Sequence, residues 1–357
     1  MVVVMKGDAA QAEIDAVVEV VRQVGGSAFV SRGVTRSIVG LVGDIALFQT
    51  LNLGALPGVQ DVIRISQPFK LVSRESHPTP STVLVGGVPI GPETATLIAG
   101  PCAVETEEQT LAAALMAKRA GASLLRGGAY KPRTSPYAFQ GLGEAGLRIL
   151  ADVREEVGLP VVTEVVEAAD VDLVASYADM LQIGTRNMQN FSLLQAAGAC
   201  GKPVLLKRGL QATVEEWLMA AEYVAQRGNL SIVLCERGIR TFETSTRNTL
   251  DVSAVPVVHA LSHLPVIVDP SHAAGRRDLV VPLARAALAV GADGVIVDVH
   301  PHPEQALCDG PQALMDPDLR DLAEAMRTIP PLLGRSAPAS SSPAARPPAA
   351  RAGVTGE

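Results

Sequence analysis

The run Lys131-Pro-Arg-Thr-Ser135 follows a short apolar, strand-like segment at 123–125, and a strand that delivers a cation recurs downstream. Lys207 closes the apolar run 204–207, and Arg237 follows the run 232–236. Arg126 and Arg186 stand just beyond two more such segments. Arg126, Lys131, Arg186, Lys207 and Arg237, gathered in one cup, would suit a doubly anionic phosphate together with a carboxylate. Arginine would bind as a planar fork and lysine as a point charge. Each cation could instead pair with an acid such as Glu164 or Glu236. A shared purpose is the stronger reading for all five, because several have no acid beside them in sequence.

A second set of residue types falls at or shortly after strand ends: Cys102, His272, Asp298 and Asp309. One thiolate, one imidazole and two carboxylates suit a divalent Mn, Fe, Zn or Co ion. These residues come from different strands, so spacing is a weak guide, and a single buried Cys or His is more often structural than ligating. In Asp298-Val-His300-Pro-His302-Pro, His302 reads as a residue of a proline-stiffened loop.

The elements that must position these groups repeat. From residue 96 onward a short apolar strand alternates with a helical pattern. The strands are at 96–99, 123–125, 161–164, 180–183, 204–207, 232–235, 266–268 and 294–297, with helices for example at 107–120, 213–227 and 279–290. Eight such units predict an α/β fold, a (β/α)8 TIM barrel over 94–334, whose sites lie at the C-terminal ends of the strands. A doubly wound sheet is the alternative, but it does not usually need eight consecutive parallel strands. Residues 1–68 read as βαββαβ, a small ferredoxin-like α+β domain. It has strands at 2–5, 27–31, 37–42 and 59–65, a helix over 9–24 and a short helix near 47–53. It holds few catalytic residue types, so a regulatory or assembly role is expected. Residues 69–93 predict a linker and a β-hairpin turning at Gly86-Gly87. Residues 335–357, rich in Ser, Ala, Pro and Arg, predict a disordered tail.

Composition narrows the function. A net charge of −7 and 3% aromatic residues argue against nucleic-acid binding by either phosphate contacts or base stacking. No apolar run reaches the length of a membrane span. The segment Met1–Lys6 is too short for a signal sequence, and the four cysteines form no CxxC pair. A reducing cytoplasm is therefore the expected home.

The motifs Ala99-Gly-Pro-Cys102, Leu125-Arg-Gly-Gly-Ala-Tyr-Lys-Pro-Arg-Thr-Ser135, Ile183-Gly-Thr-Arg-Asn-Met-Gln-Asn190, Leu206-Lys-Arg-Gly209, Cys235-Glu-Arg-Gly238 and Asp269-Pro-Ser-His272 resemble 3-deoxy-D-arabino-heptulosonate 7-phosphate (DAHP) synthase. The resemblance is to the type Iβ form with an N-terminal ferredoxin-like domain, and it covers about residues 1–330. It implies a metal-dependent, aldol-like condensation of phosphoenolpyruvate with erythrose 4-phosphate, the first step of the shikimate pathway. By the family pattern Arg126, Lys131, Arg186, Lys207 and Arg237 would hold phosphoenolpyruvate. Arg133 and Thr134 would contact the aldose phosphate, and Cys102, His272, Asp298 and Asp309 would bind the metal. Cys102, His272 and Lys131 would be the catalytic residues, Lys131 as a proton donor to the aldehyde oxygen. A homotetramer with tyrosine or phenylalanine as feedback effector is also implied.

The sister synthase acting on arabinose 5-phosphate typically reads Lys-Ala-Asn-Arg where this chain reads Lys131-Pro-Arg-Thr134, and it normally lacks the N-terminal domain. A Schiff-base aldolase using Lys207 or Lys131, and a non-catalytic sensor, are the rivals from other classes. One departure stands out: the family usually has Glu where this chain has Asp298. Aspartate reaches about 1.3–1.5 Å less far, so retained but altered metal dependence is expected. Cys308, beside Asp309, would be brought toward Cys102; oxidation of the metal-free enzyme to a Cys102–Cys308 disulfide is one reading, set against the commoner one of a small, buried, inert cysteine.

Overall fold

The computed structural model describes residues 1–33, 36–63, 67–133 and 135–336. The N-terminal strands are β1 (Val2–Met5), β2 (Ser27–Arg32), β3 (Ser37–Val42) and β4 (Val59–Ile63). They form an antiparallel sheet in the order β2-β3-β1-β4. The helix Gln11–Gln23 turns Ile14, Val17, Val18 and Val21, one helical stripe, onto Val3, Met5, Val39 and Leu41. All four residues of β1 are buried because its two faces serve different cores. Val3 and Met5 face the helix, whereas Val2 and Val4, with Ile38, pack on Phe69 and Leu71 at the start of the connection to the second unit. The short helix is Ile45–Thr50, earlier than the expected 47–53, because Asn52 turns left-handed with φ 45°. The last strand is described to Ile63, and its expected end at 65 lies outside the described residues.

The hairpin β5 (Val83–Val85) and β6 (Val88–Ile90) turns at Gly86 and Gly87, with φ of 55° and 88°. Two consecutive positive φ values are what a two-residue type I′ turn requires, and glycine adopts them without strain.

Eight parallel strands then close into a barrel. They are β7 (Thr96–Gly100), β8 (Leu124–Arg126), β9 (Val161–Val165), β10 (Met180–Ile183), β11 (Val204–Lys207), β12 (Ile232–Glu236), β13 (Val266–Val268) and β14 (Gly294–Asp298). β14 pairs with β7 to complete the ring. All eight expected barrel strands are present. The second begins one residue later than expected, so Arg126 lies inside a strand end. Inward-facing Ile98, Leu124, Val162, Met180, Leu205, Val233, Ile267 and Ile296 form one core with Val83, Val85, Val88 and Ile90 of the hairpin. The hairpin thus plugs the N-terminal mouth of the barrel. At the last described residues, Arg335 pairs with Asp293 at 2.9 Å, and the Ser336 amide donates to Glu93 O. The described chain therefore stays attached for two residues past the expected start of the tail, and the rest of the tail lies outside the described residues.

Candidate active site

The C-terminal ends of the barrel strands surround a cavity of about 460 Å³. Arg126, Lys131, Arg133, Arg186, Lys207 and Arg237 all line it, joined by Arg240 and Arg247. Of the first six, Arg126, Lys131, Lys207 and Arg237 are buried, and Arg186 is exposed at the rim. Burying that much positive charge is costly unless it is paired. The pairing acids are not Glu164 and Glu236, the alternative weighed from the sequence. Glu236 bonds to Arg208 at 2.9 Å, outside the cup, and Glu164 accepts from Gln182 Nε2 at 3.1 Å. The partners come from later strands instead: Asp298 pairs with Arg126, and Asp269 pairs with Lys207 Nζ at 2.5 Å. Sequence adjacency could not show this, because parallel strands bring together residues far apart in the chain.

Lys131 Nζ donates to Cys102 O at 2.8 Å and to Cys102 Sγ at 3.2 Å. A side chain at Gly128 would end this approach, because its Cβ would lie 2.6 Å from Cys102 O and 2.8 Å from Lys131 Cδ. Burial works against the charge on Lys131, but Cys102, Cys308 and Glu164 together outweigh it and hold the ammonium above its ordinary pKa. Arg126 is likewise held firmly charged: burial opposes its charge, and Asp298, with Cys102 and Asp269, more than restores it.

His272 sits on the five-residue helix Pro270–Ala274, whose N-cap is Asp269. Asp269 accepts from the His272 amide at 2.9 Å and lies 2.9 Å from Nδ1. A carboxylate on Nδ1 favours the tautomer that leaves Nε2 free to ligate. Nε2 lies 3.8 Å from Cys102 Sγ, 3.7 Å from Asp298 Oδ2 and 3.9 Å from Asp309 Oδ2. The ligand atoms of Cys102, His272 and Asp298 lie within 4.8 Å of one another. Asp309 reaches the group from a left-handed backbone, φ 55°, a conformation aspartate tolerates better than most residues. Burial would raise its pKa, but His272 and Arg247 together hold the carboxylate well below its usual range. The four residues singled out from sequence therefore converge, and a thiol, an imidazole nitrogen with its other nitrogen fixed, and two carboxylates form a donor set fit for a divalent transition metal.

Thr134 lies outside the described residues. Arg133 is in the cavity, where its Nη1 donates to Cys308 Sγ at 2.6 Å. Cys308 Sγ is 3.8 Å from Cys102 Sγ, the approach expected from its place beside Asp309. His300 is buried near Glu105, 3.5 Å from Nε2 to Oε2, and His302 is largely exposed; neither lines the cavity. Sequence reasoning missed Arg240, Arg247 and Gln312. Arg240 and Arg247 lie in the long connection after β12, which carries no periodic signal, and Gln312 lies in a single 3-10 turn. Gln312 Nε2 donates to Asp298 Oδ2 at 2.5 Å.

Residues 69–332 match the DAHP synthetase I family, and residues 1–67 match the DAHP synthase ferredoxin-like domain. The chain is 50% identical over 334 residues to the phospho-2-dehydro-3-deoxyheptonate aldolase of Thermotoga maritima, covering 94% of this chain and 99% of that one. It is 38% identical to the 2-dehydro-3-deoxyphosphooctonate aldolase of Magnetococcus marinus, over 70% of this chain and 93% of that one. The crystal structure of the Thermotoga maritima DAHP synthase superposes with a TM-score of 0.74 at 49% identity, covering 94% of this chain and 98% of that one.

Proposed function

From the premise that this chain belongs to the DAHP synthetase I family, we propose how its residues carry out the family's reaction. That reaction is the metal-dependent condensation of phosphoenolpyruvate with erythrose 4-phosphate to DAHP and phosphate, which opens the shikimate pathway. One observation carries the assignment of roles: the cavity that holds the cup of cations is also lined by His272 and Asp309, against which Cys102 and Asp298 converge.

Arg126, Lys131, Arg186, Lys207 and Arg237 hold the phosphate and carboxylate of phosphoenolpyruvate. Arg133 and Thr134 hold the aldose phosphate. Cys102, His272, Asp298 and Asp309 hold a Mn, Co, Zn or Fe ion. When bound, that ion supplies a Lewis acid for the charge that develops on the aldehyde oxygen. Lys131, kept protonated, donates a proton to that oxygen as carbon 3 of phosphoenolpyruvate bonds to the aldehyde carbon. Carbon 2 becomes cation-like and takes up water, and phosphate then leaves by C–O cleavage. The arginines and Lys207 stabilise the phosphate before and after that step. Holding both substrates in one cup contributes the proximity term.

The ferredoxin-like domain is the seat of feedback by tyrosine or phenylalanine, and the enzyme works as a homotetramer in the cytoplasm. Its packing on the barrel connection through Val2, Val4, Phe69 and Leu71 supports a regulatory coupling, and the four free cysteines support a reducing compartment. The test is phosphate release from phosphoenolpyruvate with erythrose 4-phosphate or arabinose 5-phosphate, before and after chelation and with each metal restored. The roles predict release with erythrose 4-phosphate that chelator stops and metal restores. Activity indifferent to chelator would remove the metal roles.

A further inference from the structure

The ligand set drawn from the family pattern leaves out a second thiol inside the cluster. Cys308 Sγ lies 3.8 Å from Cys102 Sγ and 3.3 Å from Asp309 Oδ2. Asp309 Oδ2 is in turn 3.2 Å from Cys102 Sγ and 3.9 Å from His272 Nε2, and Cys102 Sγ is 3.8 Å from His272 Nε2. These are five of the six edges of a tetrahedron with two sulfurs, one nitrogen and one oxygen at its corners. With typical zinc–ligand distances, an ideal tetrahedron has S–S edges of about 3.8 Å, S–N and S–O edges of about 3.6 Å, and an N–O edge of about 3.4 Å. The sulfur–sulfur edge therefore already matches, and the other four of these five edges differ by about half an ångström or less.

Asp298 is in a different position. One of its oxygens is bound to Arg126 and the other accepts from Gln312, so both already have donors. Its side chain is also a methylene shorter than the glutamate usual in the family. Cys308 has the opposite character. It is buried, its sulfur points into the cluster, and Arg133 donates to it, an arrangement that suits a thiolate.

We propose that Cys308 is a second thiolate ligand of this metal centre, completing a Cys102–Cys308–His272–Asp309 set and relieving the short Asp298 of most of its ligating role. The proposal rests on the metal reading above and adds a ligand to it. Two thiolates shift the preference of the site toward Zn, Fe(II) and Co over Mn, because sulfur favours the softer ions.

The experiment uses the full chain, stripped of metal under reducing conditions and reloaded with Zn(II) or Co(II). The number of sulfur neighbours is read from zinc X-ray absorption, and the thiolate-to-cobalt charge-transfer intensity from the near-ultraviolet spectrum. Wild type is expected to show two sulfurs. Cys308→Ser is expected to show one sulfur, about half the charge-transfer intensity, and a weaker preference for Zn over Mn in competition. Cys200 and Cys235 lie elsewhere, on a helix end and in the barrel core, and contribute to neither signal. A single sulfur neighbour in metal-loaded wild type overturns the proposal and leaves the metal reading standing, whether or not the variant folds. No metal retained by wild type in equilibrium dialysis overturns both.

Discussion

The two mouths of the barrel are built from the same eight strands and have opposite chemistry. The N-terminal mouth is closed by the apolar side chains of a hairpin, Val83, Val85, Val88 and Ile90, packed on the inward-facing layer of the strands. The C-terminal mouth collects arginines, lysines, carboxylates, a thiol and an imidazole around an open cavity. One end gains stability from burial that is insensitive to partner geometry. The other carries buried charges that need partners: Arg126 and Lys207 meet Asp298 and Asp269 from other strands, while Lys131 donates to Cys102 and Arg237 to the His272 carbonyl. The lesson is a division of labour: the plugged mouth holds the strands in place so that the charged mouth can stay open and still be ordered.

This contrast can be broken from either end. The largest effect is expected from Arg126→Ala at the open mouth. It leaves Asp298 buried without its partner, at a cost of roughly 3–5 kcal/mol, and removes a cation from the substrate cup. Steady-state kinetics should show kcat/KM down by at least ~10²–10³, with a lowered denaturation midpoint. A result in which activity survives intact would separate Arg126 from substrate binding. Next is oxidation of metal-stripped enzyme with hydrogen peroxide. Two thiols and one peroxide give one disulfide and two waters, and the Cys102–Cys308 pair, with sulfurs 3.8 Å apart, is expected to form it. Peptide mapping should find that bridge together with lost turnover, and full thiol titres after treatment would refute it.

At the plugged mouth the expected changes fall on stability alone. Ile90→Ala should cost about 2–5 kcal/mol of folding free energy while leaving KM for both substrates unchanged in the surviving folded enzyme. A large change in KM would mean that the two mouths are coupled.

His263 lies near the same end, just before β13, with Nε2 on Leu71 O at 3.0 Å and Nδ1 on Ser81 Oγ at 2.7 Å. Burial, with a smaller push from His77, lowers its pKa from 6.5 to about 3. Between those values the unfolded chain binds a proton that the folded chain refuses, so stability rises with pH. The contribution is complete above about pH 6.5 and falls away as pH drops toward 3, by ~1.4 kcal/mol per unit at most. Denaturation midpoints at pH 7 and pH 5 should diverge in wild type and converge in His263→Gln. Equal slopes in both would assign the acid sensitivity to other groups. The smallest effect is expected at the hairpin tip. Gly87→Ala meets open space, so only its positive φ of 88° should count, at about 1 kcal/mol in thermal unfolding.

Much of this was legible in the sequence. The eight barrel strands are short apolar runs because strands covered on both faces must be apolar throughout, and that composition marks them without any tertiary information. The double glycine at 86–87 marked the hairpin because few other residues tolerate two successive positive φ values. The cations and ligands of the site were visible as residue types at strand ends, since a barrel exposes its strands' C-terminal ends to the cavity. Three things were not legible, and all depend on contacts across the chain. Arg126 and Lys207 find their acids at Asp298 and Asp269, 172 and 62 residues away. Arg240 and Arg247 enter the cavity from a long connection with no period to read. The hairpin that looked like part of a linker proved to be the barrel's plug. Local pattern specifies which segments become strands and which residues end them, because φ, ψ and burial are set within a few residues. Which charge faces which, and whether the sulfur of Cys308 joins that of Cys102, is decided only when barrel closure brings the far ends of the chain within a hydrogen bond of each other.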